Sequence, residues 1–169
     1  MILGLTGRAR AGKSTVADAI LEHCDRSGIS CGLADIGGEV LRHCLERGLV
    51  PEGASKLDCR PILVAEGRKQ RGWIDRAVAR HAGKSVCIIP NLRYLDEIAY
   101  LRAHHGVLVS ITRLNPDGSP YISLNADPND PSETELLHHP ADFYLVNTDH
   151  WVLRRQAVTL FEYLRDAKA

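Results

Sequence analysis

Gly7 to Thr15 read GRARAGKST and contain the spacing G-x-x-x-x-G-K-[ST], which sets two glycines, a lysine and a hydroxyl in fixed order. Each type has a task in phosphate chemistry. The backbone N–H groups of such a turn converge as a nest for anionic oxygens, Lys13 reaches the β- and γ-phosphates of a nucleotide, and Ser14 offers its hydroxyl to Mg²⁺. Gly7 and Gly12 supply the backbone freedom the turn requires. Arg8, Arg10, Ala11 and Thr15 complete the set expected to line a bound nucleotide such as ATP. Context makes the motif specific: the apolar run Met1 to Thr6 reads as a strand before it, and Lys13 to about Ser27 as a helix after it. The helix adds the positive end of its dipole at the same place.

The elements that must hold this loop follow from the alternation of apolar runs and helical periods. Runs of strand length recur at Met1–Thr6, Ile29–Ala34, Ser85–Pro90, Val107–Thr112 and Phe143–Val146. The pattern predicts an α/β, three-layer P-loop NTPase fold: a five-stranded parallel sheet with helices on both faces. The nearly unbroken VCII and VLVSI suit strands buried on both sides, and Gly28 and Gly106 fall where helix C-caps belong. One domain, residues 1–169, is expected. A helical acceptor-binding insertion spans about 35–82, with helices at Glu39–Arg47 and, as one longer helix, Asp58–Ala82. A lid loop covers about 113–135, ending in the capping-box pattern Ser132-Glu133-Thr134-Glu135. In open α/β sheets, residues just past each strand line the site; here these are Asp35, Asn91 with Arg93, Arg113 and Asn147.

Composition narrows the target. With 21 basic and 21 acidic residues the formal charge is zero, which argues against a nucleic-acid polymer or an anionic membrane surface as partner. Arginines outnumber lysines, and the guanidinium fork suits bidentate phosphate binding. Cys24, Cys31, Cys44, Cys59 and Cys87 show no C-x-x-C spacing and mostly lie in apolar stretches. They read as reduced core thiols of a cytoplasmic protein. No apolar run is long enough to cross a membrane, and Met1 leads straight into a strand, so no leader is expected. The pairs His104-His105 and His138-His139 are poor metal sites, because adjacent helical residues diverge by about 100°. Trp73 and Trp151 suit core or interface positions, with base stacking as the functional alternative for Trp73.

Phosphate loops serve small-molecule kinases, GTPase switches and mechanical ATPases, and the N-K-x-D guanine signature is missing from the sequence. Here a resemblance becomes specific. IIPNLRYLDE, Ile88 to Glu97, is similar to the D-V-R-F-x-N-E element of the phage-type deoxynucleoside monophosphate kinases. RAGKSTVAD (Arg10 to Asp18), EGRKQRGW (Glu66 to Trp73), the Ser132-Glu133 pair and DFYLVNTDHWVL (Asp142 to Leu153) follow that family's order and together span most of the chain. The resemblance implies transfer of the γ-phosphoryl group of ATP to a nucleoside monophosphate in the cytoplasm, a host's if the chain is phage-encoded. It implies that Lys13, Ser14 and the loop amides hold ATP and Mg²⁺, that Arg93 meets phosphate between donor and acceptor, and that Asn147 faces the adenine. Arg113 is expected to join Lys13 and Arg93 in neutralising the transferred group. Asp35, Arg42, Arg68, Arg71, Trp73, Asn91 and Glu133 are expected around the acceptor. A homodimer is left open.

The family usually carries Asp where this chain has Asn91. An amide is an uncharged and weaker Mg²⁺ ligand. Ser14 with nucleotide oxygens and waters, or an acid among Asp35, Glu97 and Glu133, would then compensate; reduced activity is the third outcome. Simpler roles compete elsewhere: Arg42 as half of a helix ion pair with Glu46, Arg68 and Arg71 as a solvated face, Glu97 as a first-turn acid and Ser132 as an N-cap. Kinases of another small metabolite, dephospho-coenzyme A kinases among them, and a nucleotide-binding regulatory protein are the alternative functions.

Overall fold

The computed structural model describes residues 1–56, 58–69, 72–123 and 130–167. Backbone contacts divide the chain into two compact units, residues 1–33 with 84–169 and residues 34–83.

The first unit carries the sheet. Its strands are β1 (Ile2–Thr6), β2 (Cys31–Leu33), β3 (Val86–Ile89), β4 (Val107–Arg113) and β5 (Phe143–Asn147). They lie all parallel in the order β2-β3-β1-β4-β5. Every residue of β3 is buried, as its β-branched, uninterrupted run predicts. On one face Leu3 and Leu5 of β1 meet α1 (Lys13–Arg26) and α7 (His150–Asp166) in a core that includes Val16, Ile20, Leu153 and Phe161. On the other, Gly4 makes room for Leu92 and for Leu101 of α5 (Leu95–Ala103): a Cβ at Gly4 would fall 2.4 Å from Leu92 Cδ1 and 2.8 Å from Leu101 Cδ2. Helices therefore cover both faces, and the expected three-layer α/β fold is present. Asp149 caps α7, its Oδ1 accepting from the N–H groups of Trp151 at 2.8 Å and Val152 at 3.1 Å.

Some local readings change. His105, not Gly106, takes the left-handed turn after α5, with φ 52°. Gly106 is required by space instead, since a Cβ there would lie 2.2 Å from Leu101 Cδ1. The short helix expected from Ser132 onward is a single turn, α6 (Pro131–Thr134). The expected lid begins with a tight turn: Leu114 and Pro120 form an antiparallel bridge, and Gly118 N–H donates to Asn115 O at 2.9 Å. The stretch 124–129 of that expected lid lies outside the described residues. All five cysteines are free, and Trp151 is exposed at the start of α7. Among the described residues no helix is long and apolar enough to cross a membrane.

The second unit contains α2 (Ile36–Glu46), α3 (Arg60–Lys69) and α4 (Trp73–Ala79). The single helix expected over 58–82 is two, because Gly72 turns left-handed at φ 87° and opens α4. Val40, Cys44, Val50, Cys59 and Trp73 form its core. Glu39 is buried there, with Arg42 Nη1 donating to its Oε1 at 2.6 Å and Arg80 Nε at 2.5 Å. Burial alone would raise the Glu39 carboxyl, but Arg80 and then Arg42 more than offset it and hold it below the usual carboxylate value. That stabilisation is present above the unfolded pKa and is lost as pH falls through the folded one. Glu39→Gln should therefore cost about 1–3 kcal/mol of stability at neutral pH and less in acid, measured by urea unfolding at both. The arginines are half-exposed and can return to water, which keeps the cost below that of an orphaned buried charge.

Candidate functional site

The loop after β1 is shaped by residues that only tolerate what stands there. Gly7, Arg10 and Gly12 all have positive φ, at 135°, 60° and 111°. A Cβ at Gly7 would fall 2.2 Å from the Ile111 carbonyl oxygen of β4, and one at Gly12 would fall 2.6 Å from Leu153 Cδ2 and 2.8 Å from Asn147 Nδ2. Both glycines are thus fixed by the scaffold as well as by backbone conformation. Gly12 is the N-cap of α1 and no side chain caps that helix, so its opening amides keep their donors for a ligand.

Lys13 folds back over the loop, donating from Nζ to Gly7 O at 2.6 Å and Arg8 O at 2.9 Å. Its pKa falls from 10.5 to about 8, chiefly through burial and next through the Arg93 charge, while Glu133 pushes it back up. Arg93 sits just past β3. Its own N–H donates to Glu97 Oε2 at 2.6 Å and that of Tyr94 donates to the same oxygen at 3.1 Å. Glu97 thus holds the turn that presents Arg93, and burial, its largest influence, raises its carboxyl despite those bonds. The Arg93 guanidinium reaches Glu133, with Nη1 3.2 Å from Oε1. The other Glu133 oxygen accepts from Ala9 N–H at 2.7 Å. Arg93 and a loop amide therefore hold one carboxylate, whose charge reaches Lys13.

Asn147 braces the loop: its Nδ2 donates to Ala11 O at 2.8 Å. One of its two amide N–H donors is therefore engaged by the loop. Among the described residues Asn91 Oδ1 is buried with no hydrogen-bond partner. Ser14 is exposed in the first turn of α1. Arg113, at the end of β4, places its guanidinium 4.4 Å from the centroid of the Tyr121 ring. Arg8 is half-buried and Arg10 exposed. Glu135 accepts from Leu95 N–H, the first amide of α5, at 2.7 Å.

Within the second unit, Asp35 is the N-cap of α2, accepting from Gly38 N–H at 3.1 Å, and pairs with Lys56. Arg42 is bound to Glu39 rather than to Glu46. Arg68 is exposed in the last turn of α3. Trp73 is only 6 % exposed, with Arg76 over its ring at 5.1 Å and His43 against its edge, so it packs the core and presents no free face to a base. Arg71 lies outside the described residues. The loop-facing role of Glu133 and the brace from Asn147 were not expected: their partners are 124 and 136 residues away, and no spacing signals such contacts.

The donor set fits a nucleotide phosphate chain, because the loop already holds an anion through Ala9 and is flanked by two cations. It fits Mg²⁺ in a limited way. No group of three His, Cys, Asp or Glu side chains gathers for a metal among the described residues; the Ser14 hydroxyl is exposed, and Asn91 Oδ1 is an uncharged acceptor.

A phosphate loop after the central strand of a parallel 2-3-1-4-5 sheet defines the chain's fold, the three-layer α/β P-loop fold that solved kinases share. Among solved structures it is similar to the shikimate kinase of Aquifex aeolicus, at TM-score 0.57 and 17% identity over 96% of each chain. It is also similar to the APS kinase of Mycobacterium tuberculosis in complex with AMPPNP and APS, at TM-score 0.51 and 17% identity over 97% of this chain and 96% of that one. No protein-family model and no curated protein matches the sequence.

Proposed function

We propose that this chain is a phosphotransferase that moves the γ-phosphoryl group of ATP to a deoxynucleoside monophosphate, releasing ADP and the diphosphate. The observation that carries this reading is that the Ala9 amide and the Arg93 guanidinium hold one carboxylate, whose charge is felt at Lys13. Phosphoryl transfer needs aligned reactants and neutralised charge more than covalent chemistry. The loop amides and Lys13 would hold the donor phosphates, Arg93 the group in transit, and Arg113 the far side of it, while an acceptor phosphate oxygen attacks in line. Ser14 would hold Mg²⁺, which supplies charge neutralisation on the phosphate oxygens when bound. Asp35, Arg42, Arg68 and Arg71 are the residues the family resemblance offers to the acceptor; of these Asp35 and Arg42 already carry partners, Lys56 and Glu39.

A coupled assay of ADP formation with ATP and each deoxy- and ribonucleoside monophosphate tests the proposal. Formation should depend on a deoxynucleoside monophosphate and exceed the acceptor-free rate at least about tenfold, the smallest margin worth a binding term. Turnover with a different metabolite, dephospho-coenzyme A included, would move the assignment to the second reading, a kinase of another small acceptor. The similar folds named above, an APS kinase and a shikimate kinase, favour keeping that panel broad. Tight nucleotide binding with no acceptor-dependent ADP would leave a binding protein.

A further inference from the structure

We propose that Glu133 is a tethered anion which fills one end of the phosphate loop and thereby makes the loop discriminate between nucleoside triphosphates and diphosphates. The proposal rests on the nucleotide-binding reading above and adds a specificity-determining residue to it. Its basis is where the carboxylate goes. Glu133 is nearly buried, its side chain 6 % exposed, and both oxygens are engaged, one by Ala9 N–H at 2.7 Å and one by Arg93 Nη1 at 3.2 Å. A surface glutamate gains little from such a position unless a strong donor set is there to replace its water. The donors are those a phosphate oxygen would use: a loop amide and a guanidinium, with the Lys13 charge close enough to be felt.

The two ends of the loop differ. At the Ala9 end the anion site is filled by the protein's own carboxylate. At the α1 end, past Gly12, no side chain caps the opening amides. A phosphate chain confined to the α1 end binds with Glu133 in place. A chain extending to Ala9 and Arg93 must expel the carboxylate, and the apparent affinity is lowered by the fraction of molecules in which the carboxylate sits there. Once the terminal phosphoryl group has left, Glu133 can return to Ala9 and Arg93, and the same contacts that hinder entry of the triphosphate hold the emptied position closed against water.

Calorimetric titration of a non-hydrolysable β,γ-imido triphosphate and of ADP into wild type, Glu133→Gln and Glu133→Asp tests this. Glu133→Gln should tighten the triphosphate analogue about tenfold or more, as expected if the carboxylate fills nine-tenths of the loops, and change ADP affinity less than about twofold. Glu133→Asp keeps the charge but shortens the reach to Ala9, so it should follow Gln for the analogue; retained ADP binding in both variants shows that the loop is folded. Equal weakening of both ligands would make Glu133 a mere prop for Arg93 and overturn the proposal, as would unchanged affinities. If neither ligand binds wild type or variants, the nucleotide reading falls and this inference with it. If wild type binds both and only the variants fail to discriminate as stated, this inference alone falls.

Discussion

Replacing Lys13 with methionine should lower acceptor-dependent ADP formation about 10³-fold or more while the chain stays folded. Methionine keeps the length and apolar stem but removes the ammonium that the loop buries. What it removes structurally is modest: donors to the Gly7 and Arg8 carbonyls, both in a loop whose path is set by its glycines and by the Asn147 brace. Burial already works against the ammonium, taking it from 10.5 to about 8, so an uncharged side chain relieves a cost that the fold now bears. The same displacement gives a pH signature. Phosphate oxygens favour the charged amine and would raise its pKa above 8 in the complex. Affinity for the triphosphate should then be full below pH 8 and fall as pH rises through it toward the bound value. The methionine variant should lack that fall. Thermal melting that matches wild type, with activity lost and the binding profile flat above pH 8, is the expected set; normal turnover in the variant would sink the kinase assignment.

Much of this site was legible because its parts are local. The loop needs two glycines, a lysine and a hydroxyl within nine residues, flanked by ILGLT and an amphipathic helix, and the structure keeps all of it in place. Strand β3 was legible for a related reason: a run buried on both faces is apolar at every position, and VCII has few other readings. Helix punctuation was less so. Gly72 and Gly106 are both glycines near helix ends, yet one is needed for its backbone angle and the other for lack of space against Leu101, a distinction that depends on the partner. The long-range roles escaped altogether. Glu133 and Asn147 reach the loop because the order β2-β3-β1-β4-β5 sets β4 beside β1 and β5 beside β4, and strand order is not encoded in any short pattern. Local pairing was no easier to read: Arg42 pairs with Glu39 rather than Glu46, and Asp35 pairs with Lys56, 21 residues on.

The largest effect on the fold itself should come from Gly7→Ala, and a second glycine provides its control. Gly28, just after α1, has φ 67° and nothing within 4 Å of where a Cβ would lie, so alanine there meets only the cost of a left-handed conformation, about 1–2 kcal/mol. Gly7 meets that kind of cost too, at φ 135°, and adds a collision: the new Cβ would fall 2.2 Å from the carbonyl oxygen of Ile111. That oxygen belongs to the backbone of β4, which is hydrogen-bonded between β1 and β5, and Ile111 itself is 1 % exposed in the main core. No rotamer change relieves the contact; either the sheet or the loop must shift. Displacing packed backbone costs about 1–3 kcal/mol beyond the conformational term, so Gly7→Ala should lose about 2–5 kcal/mol in total. Urea unfolding of the two variants beside wild type decides the matter. If Gly7→Ala proves no less stable than Gly28→Ala, then β4 does not confine the loop, and the close approach of Gly7 to Ile111 is not what holds the phosphate nest in shape.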